Sequence, residues 1–245
     1  MSDFSYIGAG QIYMREAGAA APMIAVGNCS ALKFSITEEI KSLKDFTQAG
    51  GGTYNEVRRI ESVEMSMTLH DLNADNVARA VFGDASAIAS GSVTDEAHTV
   101  YEGGFTPTTF PPSLTGIVVK HTSGSPTYVA DTDYTVTEGG IIIIAGGGIS
   151  DGDSIKISYT KLAGSTIEAL LNAAQEYELF FSGLNDARSG KQVRVHAYRV
   201  KLGATDGLDL IGEEYWAGTQ SGKVLKDSTK NGTTVSQYFK TDIVS

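Results

Sequence analysis

The chain has few cysteines and histidines, the residues that form disulfides and bind metal ions. Cys29 is the only cysteine among 245 residues, which excludes an intrachain disulfide and a zinc site built on paired thiolates. The four histidines are scattered without the spacing that metal sites use. The sequence therefore predicts no cofactor, and Cys29 is expected to be a small buried residue.

Basic residues and long apolar runs are also scarce. Lysine and arginine together number 19 against 29 acidic residues, a net charge of −10. Nucleic-acid binding needs clustered positive charge to displace phosphate counterions, so this charge balance argues against electrostatic binding of DNA. No stretch approaches the roughly 20 apolar residues of a membrane helix. The first residues do not pair a basic start with an apolar run, so no secretory signal is expected.

Catalytic signatures are missing as well. The glycine runs at 50–52 and 146–148 lack the lysine and hydroxyl residue of a phosphate loop. No G-x-S-x-G motif occurs. Adjacent glutamates at 38–39 and 213–214 would point to opposite faces of a strand, which is poor geometry for paired acid and base. Asp131, Asp133, Asp151 and Asp153 lack the spacing of a calcium loop. We therefore expect neither a catalytic nor a metal site, and not an enzyme.

The pattern that is present belongs to β-structure. Residues 60–70 alternate between apolar and polar side chains, which predicts a strand with one buried and one wet face. The buried set is Val63, Met65, Met67 and Leu69, and the wet set includes Glu64, Ser66 and Thr68.

A short helix is expected directly after that strand, over residues 72–83. Asn73 is placed to cap its first turn, Asp75 suits the positive end of the helix dipole, and Gly83 is predicted as the left-handed stop. Residues 164–174 favour one or two further helical turns. Strands are expected at 176–182, 192–202, 208–216 and 233–244, enough for a sheet pair or a barrel-like sandwich.

Residues 98–163 form a self-contained segment. Short apolar runs recur there about every ten residues between glycine-rich turn signals, which predicts a small immunoglobulin-like β-sandwich. Residues 1–97 and 164–245 would then form one discontinuous β domain around this inserted domain.

A long polar stretch separates two strands of the host domain. Residues 30–37 alternate as a strand, but residues 38–59 carry no sustained core pattern. Structureless stretches of that length are uncommon in compact domains and are usually functional. It either extends as a hairpin away from the body or becomes ordered only on a partner. Its candidate contact residues are Lys41, Lys44, Asp45, Gln48, Tyr54, Arg58 and Arg59.

The order of these elements resembles the major tail tube proteins of long-tailed bacteriophages, which are related in fold to the tubes of contractile tails and type VI secretion systems. The matching elements are the strands at 30–37 and 60–70, the polar stretch between them, the helix at 72–83 and the strand pair at 176–182 and 193–202. They cover about two thirds of the chain. The resemblance implies a tail-tube-type β-sandwich or barrel with one short α-helix, plus the inserted immunoglobulin-like sandwich.

The resemblance also implies a function and a setting. Subunits would form hexameric rings that stack into the conduit for DNA delivery, with the polar stretch reaching a neighbouring ring. Glu64, Ser66 and Thr68 would face the lumen, where an acidic wall lets phosphate pass without sticking. Expected partners are further copies of the chain, a tape measure protein, and tail terminator and baseplate proteins. The protein would reside in the virion tail after assembly in the host bacterial cytoplasm. Such proteins usually carry the immunoglobulin-like domain at the carboxy terminus and on the tube exterior, whereas here it is internal.

An alternative function stays open. The chain is then a virion or cell-surface β-sandwich that recognises a glycan or receptor through residues 98–163. Tyr101, Tyr128, Tyr134 and Tyr159 would supply stacking platforms, although the same tyrosines alternate within strands and fit a core equally well.

Overall fold

The computed structural model describes residues 4–205 and 207–244. The protein is mainly β, with 51% of its residues in strands and 4% in helices, which confirms the predicted class. The described residues contain one α-helix, α1 (Ala74–Ala80), and a 3₁₀ helix, Asp186–Arg188. The strands are β1 (Gly8–Glu16), β2 (Ile24–Ala25), β3 (Cys29–Lys44), β4 (Thr53–Leu69), β5 (Asp84–Ile88), β6 (Gly91–Thr99), β7 (Phe105–Pro107), β8 (Val118–His121), β9 (Tyr134–Thr137), β10 (Gly140–Ile143), β11 (Ser154–Lys161), β12 (Gly164–Glu168), β13 (Glu176–Asn185), β14 (Lys191–Leu202), β15 (Gly218–Val224) and β16 (Phe239–Ile243).

The chain divides into two compact units with boundaries that differ from the expected ones. Unit 1 comprises Met1–Ala85 and Ile167–Ser245, and unit 2 comprises Ser86–Thr166. The expected inserted domain began at residue 98, but β6 pairs antiparallel with β11 from Gly91 to Thr99. Residues 86–97 therefore belong to unit 2. Their sequence is largely polar and gives no local sign of a strand that packs in unit 2, and only the pairing with β11 assigns them to it.

The segment after unit 2 is a strand, which makes the expected helical turns at 164–174 wrong. β12 pairs with β5, so the strands that lead into and out of unit 2 form a two-stranded sheet. Leu170 and Leu171 are 78% and 62% exposed. Leu170 instead takes a left-handed turn conformation with φ of 61°.

Unit 1 is built on one antiparallel sheet in the order β2-β1-β13-β14-β15-β4-β3, with β16 paired to β14. Its core lies on one face, where the predicted alternation in β4 is confirmed: Val63, Met65, Met67 and Leu69 are each at most 4% exposed. Side chains from both ends of the strand order meet in this core, so the sheet curls around it. The other buried members are Ile12, Met14, Val26, Leu179, Ala197, Val200, Leu202 and Val224.

Cys29 is half-buried at the margin of this core rather than fully buried. Burial raises the pKa of its thiol, and the nearby Asp71 carboxylate raises it further. Its thiol therefore stays protonated near neutral pH.

Helix α1 begins as predicted and ends differently. The Asn73 side chain accepts a hydrogen bond from the Asn76 backbone N–H at 2.9 Å, which confirms the cap. The left-handed residue at the other end is Phe82, with φ of 51°, and not Gly83. The Gly83 N–H donates to the Ala78 carbonyl, as in a Schellman motif. Gly83 is required for another reason, because a Cβ there would lie 2.3 Å from the Glu168 carbonyl oxygen.

Gln220 is an unpaired polar group in this core. It is 1% exposed, and neither atom of its amide has a hydrogen-bond partner among the described residues. A buried, unpaired amide costs roughly 1–3 kcal/mol. We expect Gln220→Met, which keeps the length and removes both polar atoms, to raise the free energy of unfolding by about 1–2 kcal/mol. Urea titration measures the change, and a lower midpoint than wild type would contradict the expectation.

Unit 2 is a small sandwich-type fold of two three-stranded antiparallel sheets. One has the order β7-β10-β9 and the other β6-β11-β8. Their apolar faces share a core in which Ile141, Ile143, Ile155 and Ile157 are fully buried. The adjoining segment 103–113 is held by Glu96, whose carboxylate accepts from the Tyr159 hydroxyl at 2.7 Å and the Thr109 N–H at 2.9 Å.

Candidate assembly surfaces

The predicted polar stretch is a hairpin that leaves the body of unit 1. β3 and β4 stay paired from Glu38 opposite Ile60 out to Lys44 opposite Thr53. We call residues 38–60 the arm. Every residue of the arm is exposed except the half-buried Asp45, so the arm contributes almost nothing to the core. Of the two expectations, the projecting hairpin is the correct one.

The arm carries all of the predicted contact residues. Lys41 and Lys44 lie on β3, Asp45 and Gln48 lie at the tip, and Tyr54, Arg58 and Arg59 lie on β4. The tip turns through three glycines, of which Gly51 has φ of 67°. At the start of the turn the Thr47 hydroxyl and backbone N–H both donate to Asp45, which lowers the pKa of that carboxyl. The sequence thus fixes a defined turn at the end of the arm.

Ion pairs along the arm join residues two apart on one strand or diagonal neighbours across the two strands. The Arg58 guanidinium contacts the carboxylates of Glu56 at 2.7 Å and Glu38 at 3.4 Å, and its pKa is raised, chiefly by the hydrogen bond to Glu56. The Lys41 ammonium lies 3.3 Å from Glu39. Exposed pairs of this kind contribute little stability, so they orient the arm without anchoring it.

Large apolar side chains are exposed on both faces of the arm. Ile40 and Ile60 share one face by register, and Leu43 and Val57 share the other. They are 46–51% exposed, while Phe46 at the tip is 82% exposed. A two-stranded ribbon that buries neither face is marginally stable in water. The arm therefore exposes apolar side chains of the kind that protein interfaces bury.

The polar face of β4 carries the three predicted lumen residues. Glu64 is exposed, and Ser66 and Thr68 are half-buried, so their wet orientation is confirmed. The face around them is not acidic, contrary to expectation. Its cleft of about 670 Å³ is lined by Lys33, Lys201, Lys223 and Glu64, among others.

The register explains how the lysines gather. Lys33 pairs with Ser66 across β3 and β4, and Lys223 pairs with Glu64 across β15 and β4. Lys223 also pairs with Lys201 on β14. None of these lysines forms an ion pair within residues 4–205 and 207–244. Net charge alone could not reveal this, because three strands far apart in sequence supply one residue each.

A charged cluster links β1, β13 and β14 of the same sheet. The Glu178 carboxylate contacts the Arg15 guanidinium and His196 Nε2, each at 2.6 Å. Burial raises the pKa of Glu178, but the hydrogen bonds from Arg15 and His196 outweigh it and hold the pKa below its ordinary value of 4.5. The cluster therefore ties β1, β13 and β14 together while the carboxylate is ionised.

This lowered pKa predicts an acid-sensitive contribution to stability. A carboxyl with a depressed native pKa stabilises the fold above its unfolded value and loses that contribution as pH falls through the native value. We expect Glu178→Gln to lower the free energy of unfolding by about 1 kcal/mol near neutral pH. The difference from wild type should shrink well below pH 4.5. Urea titrations at the two pH values measure it, and a constant difference would contradict the assignment.

The tyrosines proposed for ligand stacking are mostly core residues. Tyr128, Tyr134 and Tyr159 are 6%, 2% and 3% exposed, and only Tyr101 of the four is exposed, at 60%. Burial raises the pKa of all three buried hydroxyls. They cannot form an open stacking platform, so that expectation is wrong. The aspartates of this unit brace loops, as where Asp133 accepts from the Val129 and Gly148 N–H groups.

A surface that the sequence interpretation missed lies between β14 and β15. Residues 208–216 were expected to form a strand, but the described residues of this connection have no strand, and β15 begins at Gly218. We call residues 207–216 the acidic loop. Leu210, Ile211 and Tyr215 are 72%, 98% and 95% exposed, and Asp209, Glu213 and Glu214 are exposed beside them. Glycines at 207 and 212 and the acidic residues were the signals against a strand.

Fold and surfaces together define a two-unit, mainly β protein whose larger unit carries a projecting hairpin. The chain belongs to the family described as "Protein of unknown function UCP028589", whose model matches residues 5–242. No curated protein matches the chain. Among the described residues, no helix is long and apolar enough to cross a membrane.

Proposed function

We propose that this protein is a structural subunit that assembles with copies of itself into the stacked rings of a bacteriophage tail tube. The arm carries this proposal. It extends about 25 Å beyond the core, counting eight strand residues from Thr53 to Ile60. Its exposed apolar side chains gain stability only by contact with another molecule.

The edge of the sheet supports the same function. β3 ends the strand order of unit 1 and runs for 16 residues with one side unpaired within the described sheet. Long unpaired edges are templates for pairing with another chain. A contact between two different surfaces of identical subunits closes into a ring or continues as a filament. Stacked rings combine both outcomes.

The remaining features of the proposal come from the resemblance to tail tube proteins. The rings are hexameric, the arm contacts the neighbouring ring, and unit 2 is carried on the exterior. Glu64, Ser66 and Thr68 face a lumen through which DNA passes without specific binding, and the lysines beside them make this part of the wall basic rather than acidic. The subunit is not an enzyme, and its other partners are tape measure, tail terminator and baseplate proteins. It is assembled in the host bacterial cytoplasm and resides in the virion tail.

Recognition of a glycan or receptor through unit 2 is the less favoured function. It required a group of exposed aromatic rings, and three of the four candidate tyrosines are buried. Tyr101 is the one exposed tyrosine of the four, and Phe105 is a further exposed aromatic side chain of unit 2; isolated exposed apolar side chains are common on any surface.

Negative-stain electron microscopy and analytical ultracentrifugation of the purified protein test the proposal. We expect rings or tubes to form as protein concentration rises, with a sedimentation coefficient that grows in parallel. A protein that stays monomeric at every concentration, with and without added salt, would overturn it. A glycan array with the same preparation tests the alternative directly.

A further inference from the structure

The acidic loop is fixed at both ends and open in the middle. The Thr205 N–H donates to the Ala80 carbonyl at 2.8 Å just before it. At its far end His70 Nδ1 lies 2.9 Å from the Trp216 carbonyl oxygen, and Trp216 packs against the core of unit 1. Between these anchors Ile211 is 98% exposed. The loop is therefore held against the body while its apolar side chains point into solvent.

The arm offers a complementary set of groups. Leu43, Phe46 and Val57 are exposed apolar side chains. Lys44 and Arg59 stand near them, and neither forms an ion pair with a described residue. The acidic loop has three exposed carboxylates that likewise form no ion pair among the described residues. Each surface thus carries apolar residues beside unpaired charge. On the arm this charge is Lys44, Arg59 and the Asp45 carboxylate, and in the acidic loop it is three carboxylates, so the balance is basic on the arm and acidic on the loop.

We propose that the acidic loop of one copy is the docking site for the arm of a neighbouring copy. Leu210, Ile211 and Tyr215 cover the apolar residues of the arm, and the loop carboxylates meet Lys44 and Arg59. Both surfaces are exposed within a single subunit, so the arm and the acidic loop of one chain do not bury each other. This inference rests on the proposed self-assembly and names the surface that receives the arm.

The lysine-lined cleft is the competing partner for the acidic loop. Lys33, Lys201 and Lys223 match its carboxylates. The arm is favoured because it also presents large exposed apolar side chains, and apolar contact supplies most of the driving force for association. Exposed charge pairs chiefly set orientation and rate.

Disulfide trapping between copies tests the contact directly. In a Cys29→Ser background, one tagged variant carries Leu43→Cys and a second, differently tagged variant carries Ile211→Cys. Mixing and mild oxidation should give the mixed disulfide dimer. Tyr101→Cys mixed with Ile211→Cys is the control for random collision, because Tyr101 is at least as exposed as Leu43 but lies on unit 2. Ser35 also lines the lysine-lined cleft. A mixed dimer from Ser35→Cys with Ile211→Cys, in place of the Leu43→Cys product, would overturn the proposal in favour of the cleft.

Charge reversal gives an independent test. We expect the pair Glu213→Lys and Glu214→Lys to raise the protein concentration needed for assembly about tenfold, as loss of close charge pairs does at other interfaces. Adding Lys44→Glu and Arg59→Glu to the same chain should restore assembly. Glu102→Lys with Glu138→Lys makes the same change in net charge on exposed sites of unit 2 and should have no such effect.

The outcomes separate this inference from the proposed function. Wild-type protein that never assembles would refute the tube subunit itself. Wild-type protein that assembles, together with loop-reversed protein that assembles equally well, would refute only the docking of the arm on the acidic loop.

Discussion

Replacing residues 44–54 with an Asn-Gly turn should give a subunit that folds normally and no longer stacks into tubes. Leu43 and Asn55 are cross-strand partners, so a two-residue type I′ turn can join them without disturbing the rest of the hairpin. The deleted residues are exposed apart from Asp45. We therefore expect the free energy of unfolding to change by less than about 1 kcal/mol. Sedimentation and electron microscopy should show single rings or free subunits.

The matched control keeps the arm and changes only its apolar character. Leu43→Ser with Val57→Ser leaves the length and charges intact while removing two exposed apolar side chains from one face. It should weaken stacking without abolishing it, because Phe46 and Ile40 remain. Tubes that grow from the shortened variant as they do from wild type would show that the arm is not the contact between rings.

Leu179→Ala and Ile157→Ala should each lower the free energy of unfolding by about 2–5 kcal/mol, and each should affect a different unit. Both side chains are 0% exposed, and truncation of a buried leucine or isoleucine leaves a cavity with that cost. Leu179 belongs to the core of unit 1 and Ile157 to the separate core of unit 2. Calorimetry should therefore show one transition shifted by the first substitution and another by the second.

Ile142→Ala is the control for the loss of an isoleucine side chain at a position that is not buried. Ile142 is 38% exposed, whereas its neighbours Ile141 and Ile143 are fully buried. Because it sits at a partly open position of the same strand, its truncation should cost less than about 1 kcal/mol. A single transition that moves equally with Leu179→Ala and Ile157→Ala would mean that the two cores unfold as one.

Local patterns predicted the parts of the fold that depend on neighbouring residues. The alternation in β4 identified its buried and wet faces because successive side chains of a strand point to opposite sides. Asn73 was recognised as a cap because its side chain reaches an N–H only three residues away. The predicted strands at 176–182 and 192–202 were confirmed as parts of β13 and β14, because a strand pattern, like a cap, depends on residues close together in sequence.

Other features depended on pairing between distant segments. β6 belongs to unit 2 only because β11 pairs with it. Gly83 was assigned to the left-handed stop, but Phe82 holds that conformation, and Gly83 is needed where the Glu168 carbonyl approaches. The lysine-lined cleft collects residues from β3, β14 and β15. A single sequence contains no local signal for any of these contacts.

The sequence by itself determined that the chain is mainly β, where the wet face of β4 lies, and which stretch would leave the core, because side-chain polarity and short-range spacing decide these properties. Only the tertiary structure decided that residues 38–60 form a projecting ribbon with both apolar faces exposed. The reason is that burial depends on what lies opposite each strand, and nothing in the described part of unit 1 covers residues 53–60 of β4. The same holds for the acidic loop, whose apolar residues predicted a strand and whose exposure is set by the anchors at its ends.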